Sequence, residues 1–312
     1  MVRRPRRIAI FATLAAAVSL FGSTFALGST GNSGNAAAQG PPAHVASAFG
    51  RANLAGQETF VHVTVAGVSA ASAQAAARAE LGRRGAVPVE SAEYTKNGTW
   101  KQFGDNDSGN DQVVLHYNPA NRPAGVGDYT AAIGGTTPSW NNVDSSSFAF
   151  SWGSNTNQCP SLVEECGSQV FNGANETGWL DLGDEVNGSI TLGVTWFNFR
   201  TRGGPFAAPQ ETDMVLSSNQ AIHWDSTGTG GWLDIDSLTV AAHEFGHMAG
   251  LGHSGDQLAL MYPSYQDARL TLLGTDDIAG ISALYPAADG GSGSTGDVPG
   301  YCKKHPERAG CP

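Results

Sequence analysis

Three of the eight histidines in this 312-residue chain lie within eleven positions, in the stretch HEFGHMAGLGH (residues 243–253). His243 and His247 are four residues apart, so on a helix both imidazoles lie on one face, where they can share a metal ion. Gly250 can adopt a positive φ, which would turn the chain and return His253 as a third ligand. The spacing predicts a zinc site with three neutral nitrogen ligands and an open fourth position, as catalytic zinc requires.

Glu244 lies next to the first of these histidines but is rotated away from the metal-facing side of the helix. Its carboxylate can therefore reach a water molecule on the zinc without being a ligand. Zinc lowers the pKa of bound water to about 7, and Glu244 would take a proton from that water as it attacks a peptide carbonyl. We therefore expect a zinc-dependent endopeptidase, rather than a helix that carries surface histidines.

The first two histidines need a helix to position them, and DSLTVAAHEFGHMAG supplies it, with Asp236 or Ser237 as its cap. Further helices are predicted over residues 69–85 and 275–285. Strands are predicted by alternating or apolar runs in TFVHVTV (59–65), DQVVLHYNP, SFAFSW, SITLGVTWFNFR, TDMVLSS and QAIHW. Several strands followed by late helices indicate an α+β domain with a mixed sheet.

The two ends of the chain differ in composition from its centre. A basic start and a short apolar run are typical of a cleaved signal peptide, and residues 27–57 lack periodicity, as a flexible leader would. The predicted segments are a signal peptide at 1–26, a flexible leader with a pro-segment or accessory unit at 27–98, the peptidase domain at 99–286, a Gly/Ser linker at 287–300 and a Cys-closed tail at 301–312.

The four cysteines form two close pairs, Cys159 with Cys166 and Cys302 with Cys311. An even number of cysteines in an exported chain favours disulfides, although four cysteines allow three connectivities. Their spacings do not suit a zinc cluster.

The formal net charge of −11 argues against nucleic acid as a partner. No run beyond the signal peptide approaches eighteen apolar residues, so no membrane attachment is expected after its removal. We expect a secreted, extracellular monomer whose partner is a protein or peptide substrate.

The long histidine motif, with a serine after its third histidine (Ser254) and a methionine further on, resembles the matrixins, a family of metzincin zinc endopeptidases. ALMYPSY (259–265) is similar to the methionine turn of that family. The resemblance implies that Met261 lies beneath the metal ligands, and that Pro263 and Tyr265 line the primary specificity pocket.

The resemblance covers residues 99–286. It implies a twisted mixed sheet above a cleft, with an active-site helix and a C-terminal helix. The substrate would lie extended along an edge strand, held by backbone hydrogen bonds.

The chain departs from animal matrixins in three respects. Their pro-segment caps the zinc with a cysteine, but no cysteine precedes Cys159 here, which excludes latency by that route. Their second, structural zinc is held by upstream histidines and an aspartate, but only His223 lies in that region of this chain. The aspartate-containing loops that bind calcium in that family have no clear match here, which leaves Asp213, Asp234 and Asp236 as candidate calcium ligands.

The remaining single histidines, His62, His116 and His223, are interpreted as ordinary polar or packing residues. Two other functions stay open. One is a catalytically silent binding protein that keeps the fold and works through its C-terminal tail. The other is a structural zinc protein whose site is closed by a fourth side chain.

Overall fold

Apolar and β-branched segments build one large sheet in the computed structural model of this protein. It describes residues 43–54, 56–89, 112–126, 129–130, 139–160, 171–199, 209–224, 233–266 and 272–287. The strands are β1 (His44–Leu54), β2 (Gln57–Gly67), β3 (Val87–Val89), β4 (Gln112–Asn118), β5 (Ala149–Trp152), β6 (Asn175–Leu180), β7 (Ser189–Phe199), β8 (Pro209–Ser217), β9 (His223–Trp224), β10 (Asp234–Ile235) and β11 (Ser264–Gln266). The helices are α1 (Ala70–Arg83), α2 (Ser237–Met248) and α3 (Thr275–Leu284), with a 3-10 turn at Trp140–Asn142.

Nine of these strands form a mixed sheet in the order β11-β1-β2-β7-β8-β6-β4-β5, with β3 also paired to β1. The pairs among β5, β4, β6 and β8 are parallel. The pairs from β8 through β7, β2 and β1 to β11 are antiparallel. The predicted α+β class with a mixed sheet is therefore confirmed.

The N-terminal strand β1 differs from the sequence prediction, which placed residues 27–57 in a flexible leader. All eleven residues of β1 pair with β2, from His44 opposite Gly67 to Leu54 opposite Gln57. Small and apolar residues of β1 are buried on both faces of the sheet, so the strand lacks the alternation that marks a half-exposed strand.

The strand β2 presents two chemically different faces. Val61, Val63 and Val65 pack with α1. That helix begins after its cap Ser69, whose side chain accepts a hydrogen bond from the backbone N–H of Ser72. Because side chains alternate along a strand, His62 and Thr64 point to the opposite face of the sheet, where α2 lies.

The helix α2 begins after Asp236, whose carboxylate accepts hydrogen bonds from Leu238 N (3.4 Å) and Thr239 Oγ1 (2.6 Å). Nearly every residue of α2 is buried, because this helix is surrounded by the sheet, by α3 and by aromatic residues that pack near the middle of α2. Trp140 Nε1 donates a hydrogen bond to Ala242 O (2.8 Å) and so fixes one side of the helix.

Several predicted features lie outside the described residues: the signal peptide, the C-terminal tail, and the cysteines at 166, 302 and 311. No helix within the described ranges is long and apolar enough to cross a membrane. His116 donates a hydrogen bond from Nδ1 to Ser154 O (3.0 Å), and exposed His223 pairs with Asp234 (3.2 Å), so both are ordinary polar residues here.

Candidate metal centre

The helix α2 places the side chains of His243 and His247 one turn apart, with their Nε2 atoms 3.0 Å from each other. Each ring donates its Nδ1–H to a backbone carbonyl at 2.7 Å, His243 to Leu260 and His247 to Leu251. These bonds fix the tautomer of both rings, so both Nε2 atoms carry lone pairs. Two lone pairs at this distance repel each other, and a cation held between them would remove that repulsion.

Gly250 turns the chain back after α2. Its φ is +101°, as predicted, and its N–H donates to His247 O (2.8 Å), while Leu251 N donates to Gly246 O (3.0 Å). This pair of hydrogen bonds closes the helix in the manner of a glycine C-cap. The turn brings His253 beside the two helical histidines.

His62 of β2 joins these three histidines. One nitrogen from each of the four rings lies within 4.8 Å of all the others. His62 donates from Nδ1 to Glu244 Oε2 (2.9 Å), and its Nε2 lies 3.1 Å from His253 Nε2. His62 is therefore not the ordinary polar or packing residue that the sequence suggested. The sequence could not indicate its place, because no local pattern predicts a contact between residues about 190 positions apart.

The donor set fits zinc. Four nitrogen ligands at about 2.0–2.1 Å from a tetrahedral zinc lie about 3.3 Å apart, close to the observed 3.0 and 3.1 Å. Burial and the neighbouring His62 lower the pKa of His243 to about 4, and they lower the pKa values of His247 and His253 as well. The three rings are therefore neutral at pH 7, the form that binds metal.

The Glu244 carboxylate is buried beside this cluster and is fully hydrogen-bonded. Its Oε2 accepts from His62 Nδ1 and from Thr195 Oγ1 (2.5 Å), and its Oε1 accepts from Thr64 Oγ1 (2.6 Å). Burial alone would raise the pKa of Glu244, but His62 and the hydroxyl donors outweigh it and lower that pKa. The side chain is thus an ionised proton acceptor.

The methionine turn is held from α3. Asp277 accepts hydrogen bonds from Leu260 N (2.7 Å) and Met261 N (3.0 Å), and Leu260 O in turn holds the His243 ring. Met261 is buried, with its sulfur against Gly246 of α2. The sequence singled out Met261 but not Asp277, which is a positioning residue for His243.

The segment predicted to line the specificity pocket pairs with β1. Pro263 O accepts from Ser47 N (2.9 Å) and Ser47 Oγ (3.2 Å), and Tyr265 lies opposite Val45. Ser254, the residue after the third histidine, donates to Asp276 of α3 (2.5 Å).

A second buried cluster contains Glu176, Glu211 and Asp213. Of the three aspartates considered for calcium, only Asp213 lies in it, because Asp234 faces His223 and Asp236 caps α2. Burial raises the pKa of Asp213, and it raises the pKa of Glu211 to about 7 despite hydrogen bonds from two backbone N–H groups.

Comparison with known proteins agrees with this geometry. The Matrixin family model matches residues 195–286. Similar proteins include interstitial collagenase of Bos taurus (43% identical over 83 residues, 27% of this chain and 18% of the relative) and matrix metalloproteinase-26 of Homo sapiens (40% over 127 residues, 36% and 45%). Hatching enzyme of Paracentrotus lividus is 42% identical over 104 residues, 31% of this chain and 16% of the relative.

The chain spans less than half of the length of each of these relatives. The matched part contains three of the four clustered histidines, Glu244 and the methionine turn, whereas His62 lies outside it. Residues 195–286 therefore resemble the matrixin family and form a matrixin-type metalloprotease region of this chain.

Proposed function

We propose that this protein is a secreted zinc endopeptidase that hydrolyses peptide bonds in proteins. The observation that carries the proposal is the pair of inward-facing Nε2 lone pairs of His243 and His247, with the ionised Glu244 carboxylate one residue away. A buried, ionised carboxylate next to the metal-binding rings can serve as the general base that peptide hydrolysis needs.

In this proposal His243, His247 and His253 hold the zinc ion. When bound, zinc supplies a Lewis acid that polarises the substrate carbonyl and makes a coordinated water acidic. Glu244 takes the proton from the attacking water on a carboxylate oxygen and delivers it to the leaving amine. The carbonyls of Leu260 and Leu251 keep the two helical rings in the ligating tautomer.

We assign substrate binding to the side of β7 that β2 covers in this structure, and to the segment of Pro263 and Tyr265. An extended peptide along β7 would gain backbone hydrogen bonds, and residues after Met261 would form the specificity pocket. Met261 supports this segment through its contact with α2.

A structural zinc protein is the second candidate, because His62 gives the cluster a fourth nitrogen. A catalytically silent binding protein is the third candidate. The presence of Glu244 in the general-base position argues against it, because a silent protein does not need that carboxylate. Peptide-bond hydrolysis separates the proposed enzyme from both alternatives.

The test is casein hydrolysis by the full chain and by a His62→Ala chain, before and after chelation and after zinc is restored. Glu244→Gln should lower kcat by about 10²- to 10⁴-fold while one zinc ion per chain is retained. Glu185→Gln, at an exposed position, is the matched control and should leave kcat unchanged. Undiminished hydrolysis by the Glu244→Gln chain would show that the proposed general base is wrong.

We also propose that the carboxylates of Glu176, Glu211 and Asp213 bind calcium. These three buried carboxyl groups each offer an oxygen, all within 4.8 Å of one another, and oxygen ligands suit calcium. We further propose that the protein is exported, that it is a monomer and that its segments have the predicted boundaries. We propose disulfides between Cys159 and Cys166 and between Cys302 and Cys311.

A further inference from the structure

We propose that the hairpin of β1 and β2 keeps the enzyme latent, with His62 as a fourth zinc ligand and both strands filling the substrate groove. The inference rests on the proposed function and adds its regulation. It requires that the hairpin occupy the path of the substrate, that His62 complete the metal site, and that the general base be blocked.

The hairpin occupies the groove by backbone pairing. Along β7, residues 189–198 pair with residues 59–67 of β2, which is the edge assigned to the substrate. On the other side, β1 pairs with β11 and Ser47 N donates to Pro263 O, so the pocket segment is also covered. A peptide substrate therefore finds the hydrogen-bonding groups on both sides of the groove already used.

His62 completes the metal site. Its Nδ1–H is used by Glu244, and its Nε2 faces the other three rings, 3.1 Å from His253 Nε2. An imidazole in this position takes the coordination place that a catalytic zinc keeps open for water.

The same hairpin blocks the general base. His62 and Thr64 each donate a hydrogen bond to the Glu244 carboxylate, which must be free to accept a proton from water. Ser47 adds a contact between its Oγ and His253 Nε2 (2.9 Å). Three polar side chains of the hairpin thus contact the two groups on which the proposed reaction depends.

Buried polar side chains occur on the face of β2 that is turned toward the metal centre, and the opposite face is apolar. The face against α1 carries three valines, as an ordinary packed strand would. The face toward Glu244 carries His62 and Thr64, both fully buried or nearly so, and polar groups that lacked such partners would cost free energy there.

The first experiment measures coordination directly. Wild-type, His62→Ala and His223→Ala full chains are loaded with cobalt(II) and titrated with acetohydroxamate, and visible absorption is followed. The His62→Ala chain should bind acetohydroxamate at least about 10-fold more tightly than wild type, because one coordination place is open. The exposed His223 is the matched control, and its variant should behave as wild type.

Because His62 is fully buried, His62→Gln provides a second variant that fills the space and can still donate to Glu244. It should resemble His62→Ala in the cobalt titration. Equal acetohydroxamate affinity in the wild-type, His62→Ala and His62→Gln chains would overturn the inference. Failure of every chain, wild type included, to bind zinc would instead overturn the proposed function.

The second experiment measures latency. The double variant His62→Ala/Thr64→Val removes both hairpin donors to the Glu244 carboxylate and the proposed fourth ligand, which weakens the hold of the hairpin and shifts it toward an open population. The full chain that carries it should cleave casein at least about 10-fold faster than wild type. Wild-type activity that equals or exceeds that of the double variant would contradict latency, while zinc-dependent hydrolysis by both would leave the proposed function intact.

Discussion

The four-histidine cluster and the three-carboxylate cluster are both buried, yet burial prepares them differently for metal. Burial lowers the pKa values of the clustered His243, His247 and His253 and raises those of Glu211 and Asp213, so these groups are driven to their neutral forms. A neutral imidazole is a metal ligand, whereas a neutral carboxyl must first lose its proton. The histidine cluster is therefore ready for zinc at pH 7, and the carboxylate cluster binds a cation only in competition with protons.

The largest effect is expected from loss of a helical ligand. His247→Ala should lower zinc affinity more than about 100-fold, because it removes a ligand whose ring is already oriented by Leu251 O. Zinc content after dialysis against a weak chelator measures this, with Glu211→Gln as the control from the carboxylate cluster. Loss of zinc from the Glu211→Gln chain would break the distinction between the two clusters.

Packing around the histidine helix gives the next effect. A side-chain carbon at Gly246 would overlap Met261 and Trp140, so Gly246→Ala should lower the free energy of unfolding by about 1–3 kcal/mol. Gly82→Ala in α1 meets no atom within 4 Å and should raise it by about 0.5–1 kcal/mol. Urea unfolding of the zinc-free chains compares the two, and equal effects would show that Gly246 is not tightly packed.

The histidine cluster also depends indirectly on the Asp277 carboxylate, which holds the segment whose Leu260 carbonyl orients His243. Asp277→Asn places an amide against backbone N–H groups of the methionine turn and should weaken zinc binding about 10-fold through His243. Asp256→Asn, at an exposed position, is the control. Chelator competition measures both, and an unchanged zinc affinity in Asp277→Asn would mean that Leu260 O does not depend on this support.

The smallest effect concerns pH and the carboxylate cluster. The folded-state pKa of Glu211 lies at about 7, above its ordinary 4.5, so its stabilising effect is complete below pH 4.5 and is lost as pH rises through about 7. Without calcium, the Tm of wild type minus that of Glu211→Gln should fall by a few degrees over this window. Calcium should raise the Tm of wild type, but not that of Glu211→Gln, and so remove the pH dependence of this Tm difference. A Tm difference that does not change with pH in calcium-free buffer would contradict the raised pKa of Glu211.

The sequence predicted the part of the site that is local. Helical spacing placed His243 and His247, Gly250 predicted the turn through its freedom at positive φ, and Asp236 was among the predicted caps. The strands β2, β4, β5, β7 and β8 followed from alternation or apolar runs.

The rest depends on contacts between distant segments. His62 meets Glu244 and His253 only because β2 pairs with β7, more than 120 residues later, and no periodicity indicates that pairing. The strand β1 was missed because burial on both faces removed its alternation. Asp277 was placed correctly on a helix, but its role follows from where the methionine turn packs.

The position of β2 inside the sheet has a consequence for the activated enzyme. Loss of the hairpin would turn β7 from an interior strand into an open edge, with a row of unpaired N–H and C=O groups. Such an edge accepts any extended chain, including one from a second copy of the protein. Product inhibition, self-cleavage and aggregation would then share one surface, and the hairpin would be a folding safeguard as much as an inhibitor.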